Sequence, residues 1–124
     1  MNDPGRADLI RNGRVMVARM PVEVEITQAP LLRGQLMQAV ENRDLGLVID
    51  LTATKYLDSS GVNMLFELGE VLAARQLQTA VVMPQGGLVE RVVAIVDLGS
   101  AMPIHRDVES AVDVIRNTPG TPSD

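Results

Sequence analysis

The chain has no cysteine and no tryptophan, a single lysine (Lys55), a single histidine (His105) and only two aromatic side chains, Tyr56 and Phe66. Without cysteine there are no disulfides, thiolate metal sites or thiol redox sensors. Two isolated aromatics make no platform for stacking bases. The formal net charge is −5 and the ten arginines are scattered, which argues against non-specific binding to nucleic acid through its phosphates. No apolar run approaches the ~20 residues a membrane span requires. The N-terminus is polar and acidic and does not read as a signal peptide.

What is present suits one domain. At 124 residues the chain is long enough for a single core. Residues 1–6 (with Asn2, Asp3, Pro4 and Gly5) and 117–124 read as flexible tails around a domain at 7–116. Asn12-Gly13 between two short apolar stretches predicts a tight β-hairpin, and Pro21 ends its second strand. Val22, Val24 and Ile26 alternate with Glu23 and Glu25, as a short edge strand or an extended loop would. Thr27 reads as an N-cap and Pro30 fits the first turn of a helix over 28–43, with Ala29, Leu32, Leu36 and Val40 on one face. Leu47-Val48-Ile49-Asp50-Leu51 has the pattern of a strand buried on both faces.

Next comes Tyr56-Leu57-Asp58-Ser59-Ser60-Gly61-Val62, a loop running into a helix from Ser59 to about Arg75. Asp58 suits its N-cap, accepting from the N–H of Ser60 or Gly61. Two hydroxyls therefore lie where the helix dipole already tolerates an anion. Val62, Leu65, Phe66, Gly69, Leu72 and Ala73 form one apolar stripe. Met64, Leu68 and Val71 form a second, which calls for a partner of its own: further core, a dimer mate or another protein.

Thr79–Met83 is a further strand, closed by Pro84-Gln85-Gly86-Gly87. That loop reads as a turn rather than a phosphate cradle, since no Lys or Ser/Thr follows in the required spacing. A short helix over Leu88–Val96, a strand at Met102–His105 and a helix from Asp107 to about Arg116 complete the chain. His105 has no ligand neighbour in sequence and reads as structural. The order points to an α/β domain: a mixed central sheet of four to five strands with four helices packed on it. No catalytic triad, metal cluster or paired carboxylate emerges, so an enzyme is the weakest class. Asp50 ends a buried strand as a receiver aspartate does, but the required lysine after the last strand is missing.

With this layout the chain resembles the STAS family, specifically the bacterial anti-sigma factor antagonists. The resemblance rests on Leu47–Leu51, on Leu57-Asp58-Ser59-Ser60-Gly61-Val62, on the strand from Leu77 to Pro84 and on Val96-Asp97-Leu98-Gly99. It covers roughly residues 14–116. It implies partner switching: the unphosphorylated protein binds an anti-sigma factor that is also a serine kinase of the GHKL type, and so frees a sigma factor. Phosphorylation of the serine after the aspartate, Ser59 (alternatively Ser60), ends binding, and a PP2C-type phosphatase reverses it. The docking face so implied comprises Glu23, Glu25, Asp58, Ser59, Ser60 and Gly61. Met64, Leu68 and Val71 are candidates for its apolar part. Where the family usually has Glu-x-Asp, this chain has Glu23-Val24-Glu25. A cytoplasmic protein, monomeric or weakly dimeric, without cofactor or metal, completes the expectation. The alternative is a STAS scaffold or small-ligand sensor without kinase control.

Overall fold

A computed structural model describes residues 5–118. The hairpin strands are β1 (Asp8–Asn12) and β2 (Val15–Arg19). Their turn differs from expectation by one residue. Asn12 pairs with Val15, so Gly13-Arg14 is the two-residue loop, and only Gly13 (φ 63°) takes positive φ. A glycine at the first turn position lets the turn follow the strands' twist.

β4 (Gly46–Asp50) is buried at every position, as its unbroken apolar pattern requires. It lies between β2 and β6 (Gln78–Val82) and runs parallel to both. With β7 (Ile104–His105) beyond β6, the sheet order is β1-β2-β4-β6-β7, five strands with only the β1–β2 pair antiparallel. Between β2 and β4 the chain makes β3 (Glu23–Val24) and helix α1 (Ala29–Ala39). After β4 it makes β5 (Tyr56–Leu57), which pairs in parallel with β3 in a separate two-stranded ribbon. Helices α2 (Ser59–Ala74), α3 (Gly87–Val96) and α4 (Val108–Asn117) follow β5, β6 and β7 respectively.

The sheet separates two cores. On one face Met16, Ala18, Leu47 and Ile49 pack with Leu32 and Leu36 of α1, Leu65 and Leu72 of α2, and Val89 and Val93 of α3. On the other face Val15, Val17, Val48, Ala80 and Val82 pack with Ala111, Val112 and Ile115 of α4 alone. Alternate residues of each strand supply the two faces, as the pleat dictates.

α1 is shorter than its apolar spacing suggests. It starts after Gln28, which gives no side-chain cap, and stops before Val40, where the backbone turns extended. Asp44 explains the stop. Its carboxylate accepts the Glu41 N–H at 2.8 Å, offering the backbone an alternative to another helical turn. At the end of α2, Gln76 (φ 64°) takes the left-handed position. The Leu77 N–H reaches the Leu72 carbonyl at 2.8 Å and the Gln76 N–H that of Ala73 at 2.9 Å, a Schellman closure without glycine. Asn117, expected to open the C-terminal tail, is the last residue of α4. The rest of the expected tails, apart from Gly5, Arg6 and Thr118, lies outside the described residues.

Candidate functional site

α2 begins where two distant segments meet. Asp58, its N-cap, has extended backbone, and its Oδ1 accepts the Gly61 N–H at 2.9 Å. Its Oδ2 accepts the N–H of Ile26 at 3.1 Å. The Asp58 N–H in turn donates to the Val24 carbonyl at 3.3 Å. One side chain therefore caps the helix and ties it to the segment just after β3, so Glu25 is held between two residues bonded to Asp58. Both Asp58 oxygens already serve the fold, and only their remaining lone pairs are free for a partner.

Ser59 is exposed at the first position of α2. The N–H groups of Ser59 and Ser60 have no acceptor among the described residues. Such unpaired donors at a helix start favour an anion. Ser60 is half-buried and turns into a groove of about 570 Å³ between α1 and α2. Ala29, Pro30 and Arg33 form one wall, Asn63 and Glu67 the other, with Ile26 at the lip and Met64 beneath. Arg33 Nε and Glu67 Oε2 face each other across it at 3.7 Å.

Several expected contact residues are not at the surface. Gly61 is buried, and a Cβ there would lie 2.4 Å from the Val24 carbonyl oxygen and 2.7 Å from a Leu57 methyl. Its glycine lets α2 touch the β3–β5 ribbon. Met64 and Leu68 are 3% and 0% exposed and belong to the core. Val71 is half-buried. The second stripe of α2 has its own partner inside the domain, because α2 packs on α1 as well as on the sheet. Met64 and Leu68 are thus corrected from docking surface to core, Met64 keeping an edge in the groove floor, whereas Val71 stays partly exposed and outside the core clusters.

Glu23 is exposed and Glu25 half-buried. Of the alternating apolar residues beside them, only Val24 is buried; Val22 and Ile26 are 55% and 69% exposed, and Tyr56 is 43% exposed. Sequence pattern missed these three as surface. The ribbon has only two residues in each strand, too short for alternation to hold, and the extra apolar residues beside Ser59 were the available signal.

Asp50 is structural here: its Oδ1 accepts from the Thr52 backbone and hydroxyl at 3.0 and 2.7 Å. Among the described residues no group of His, Asp and Glu is arranged to hold a metal, and no helix is long and apolar enough to cross a membrane.

Solved structures share this architecture. An anti-sigma factor antagonist from Mycobacterium paratuberculosis is 24% identical, with 90% of this chain and 93% of that one covered and a TM-score of 0.72. An anti-sigma-factor antagonist (STAS) domain protein from Planctomyces limnophilus is 14% identical, with coverages of 89% and 97% and a TM-score of 0.76. The Bacillus cell fate determinant SpoIIAA, in its phosphorylated form, is 21% identical, with coverages of 89% and 99% and a TM-score of 0.67. At these identities the likeness is one of fold. No curated protein matches the chain by sequence. The STAS domain family model, however, matches residues 6–111, and with the capped Asp58-Ser59-Ser60-Gly61 start of α2 in its place behind β4 the chain belongs to the STAS domain family.

Proposed function

We propose that this protein is an anti-sigma factor antagonist working by partner switching, with Ser59 as its phosphorylation site. One observation carries the reading: an exposed hydroxyl at the first position of α2, beside unpaired N–H groups and on a rigidly tied helix start. Phosphorylation adds about −1.5 to −2 charges at neutral pH. The free N–H groups soften its cost to the fold, while Asp58 raises it. A docked partner has no such compensation. Two unit charges ~6 Å apart at an effective dielectric of ~20 repel by about 3 kcal/mol, on the order of 100-fold in affinity. The switch then needs no refolding, only a changed surface.

The docking face we assign is Ser59 and Ser60, the acidic pair Glu23 and Glu25, and the exposed apolar side chains of Val22, Ile26 and Tyr56. It replaces the second stripe of α2. The partner is a GHKL-type anti-sigma factor and serine kinase, and a PP2C-type phosphatase resets the switch. That a structural relative is known in a phosphorylated form supports this reading without deciding it.

Incubation with ATP and each anti-sigma kinase of the same genome tests it. Phosphate on Ser59, absent in Ser59→Ala, with loss of kinase binding once phosphorylated, is the expected result. Phosphate on Ser60 instead moves the site into the groove. Stable binding with no phosphate acceptance favours a second reading for which the 570 Å³ groove speaks: a STAS scaffold or small-ligand sensor without kinase control.

A further inference from the structure

We propose that β1 docks a second copy of this chain, the two β1 strands pairing antiparallel about a two-fold axis at Ile10. β1 is an open edge of the five-stranded sheet, and all five of its residues are exposed. Soluble proteins shield such edges with lysine, proline, a bulge or a very short strand. β1 has none of these: it reads Asp8-Leu9-Ile10-Arg11-Asn12, in unbroken register with β2. The opposite edge, β7, has only two residues. No residue of β1 belongs to the Ser59 face.

The bonding pattern decides which backbone groups of β1 are free. β2 turns its even-numbered residues to β4, since the Arg14 carbonyl accepts from Leu45 at 2.7 Å and the Met20 N–H donates to Asp50 at 2.8 Å. Its residues Val15, Val17 and Arg19 therefore face β1, where their partners are Asn12, Ile10 and Asp8. The N–H and C=O groups of Ala7, Leu9 and Arg11 are left pointing outward. The Gln35 side chain takes both groups of Ala7, each at 2.8 Å. Among the described residues no side chain takes those of Leu9 or Arg11.

Two outward residues spaced in this way are self-complementary. Leu9 opposite the partner's Arg11, and Arg11 opposite the partner's Leu9, close four backbone hydrogen bonds; a register shifted by two positions closes only two between these residues. Ile10 then lies opposite the partner's Ile10, and Asp8 opposite the partner's Asn12, at the closely spaced positions where side chains meet. Charge agrees with this register. Asp8 makes no ion pair among the described residues, because Arg19 opposite it on β2 faces Asp50 at 3.6 Å. Asn12 is gripped by Arg116 of α4, whose Nη2 donates to its carbonyl at 3.1 Å and to its side-chain oxygen. Arg116 has no carboxylate partner among the described residues either. Within one chain Asp8 and Asn12 stand at opposite ends of β1, about 13 Å apart. In the two-fold pair each Asp8 comes to face the partner's Asn12 and Arg116. The two Arg11 charges are each held by their own Asp44 at 2.7 Å.

The test is sedimentation equilibrium and amide exchange of the full chain from about 10 μM to about 1 mM in ~0.15 M salt. One strand pair buries less than the ~1,200 Å² of stable complexes, so a dissociation constant near ~0.1 mM is expected. The Leu9 and Arg11 amides should gain protection as concentration rises. Leu9→Pro removes an outward donor that β2 does not use, and should leave the chain monomeric. Asp8→Lys should weaken association about tenfold. Adding Arg116→Glu to Asp8→Lys should restore it, a rescue that the distance forbids within one chain. A chain that stays monomeric at about 1 mM overturns the proposal and leaves the edge to a strand of another protein. A dimer in which the Leu9 and Arg11 amides stay unprotected, or one that Leu9→Pro leaves intact, overturns it as well. Should Leu9→Pro fail to fold, the amide protection of wild type decides without it.

Discussion

The carboxylate of Asp58 accepts the backbone N–H of Ile26 at 3.1 Å across 32 positions of sequence. It is the same carboxylate that caps α2 through Gly61. A residue whose type suggests only a local cap is therefore also a long-range tie. Asp58→Ala removes both bonds and should cost about 1–3 kcal/mol, read as a lower urea midpoint. Asp58→Asn keeps one carbonyl acceptor and should fall between wild type and the alanine variant. If asparagine matches wild type, the second of the two bonds adds nothing beyond the first.

Two glycines on neighbouring helices should respond in opposite directions. Gly61 faces the Val24 carbonyl, where a Cβ at 2.4 Å cannot be accommodated without moving α2 or the ribbon. Gly61→Ala should destabilise by more than ~2 kcal/mol despite alanine's better helix propensity. Gly34 is exposed inside α1, with nothing within 4 Å of where an added methyl group would sit. Gly34→Ala should stabilise by about 0.5–1 kcal/mol. Thermal melts of the two variants beside wild type check both signs.

How far the sequence reached follows from which interactions are local. β4 was legible because a strand covered on both faces needs only apolar residues. The caps at Asp58 and Asp107 were legible because a cap is decided within three residues, and both accept the N–H three positions on. The β3–β5 ribbon was not, since Glu23 meets Tyr56 only through the tertiary fold and two residues carry no period. The end of α1 depended on Asp44, whose side chain competes for a backbone donor that spacing alone assigns to the helix. Met64 and Leu68 were misplaced because an amphipathic pattern reports that a face is covered, not whether the cover is α1 or another protein. The place of Ser59 at the start of α2 was legible by motif and position, whereas the exposure of Ile26 and Tyr56 was not.

Asp44 makes the stability of the hairpin edge depend on pH. It is 5% exposed, and burial alone would push its carboxyl up. The hydrogen bonds from Arg11 at 2.7 Å and from the Glu41 N–H outweigh this and hold it below the usual range. A carboxyl depressed in the folded state stabilises the fold fully above its unfolded value, about pH 4, and that contribution disappears as pH falls through the lower folded value. Urea midpoints taken from neutral pH downward should therefore show a steeper acid limb in wild type than in Asp44→Asn. Arg11→Gln should shift that limb to higher pH. An unchanged limb in Asp44→Asn would remove Asp44 as a source of the acid sensitivity.

Phosphorylated Ser59 should leave α2 intact. The group enters at the positive end of a 16-residue helix, beside the Ser59 and Ser60 N–H groups that have no other acceptor among the described residues. Against this stands the Asp58 carboxylate, which cannot turn away without giving up Gly61 or Ile26. The two effects are of similar size, a helix terminus giving about 0.3–1 kcal/mol and an exposed like-charge pair about as much in the other direction. Stability should thus change by less than ~1 kcal/mol while partner affinity falls on the order of 100-fold. Circular dichroism and amide exchange of the phosphorylated chain check the first half, and kinase binding the second. Loss of helical signal or of amide protection along Val62–Leu72 on phosphorylation would place the switch in the fold instead of on its surface.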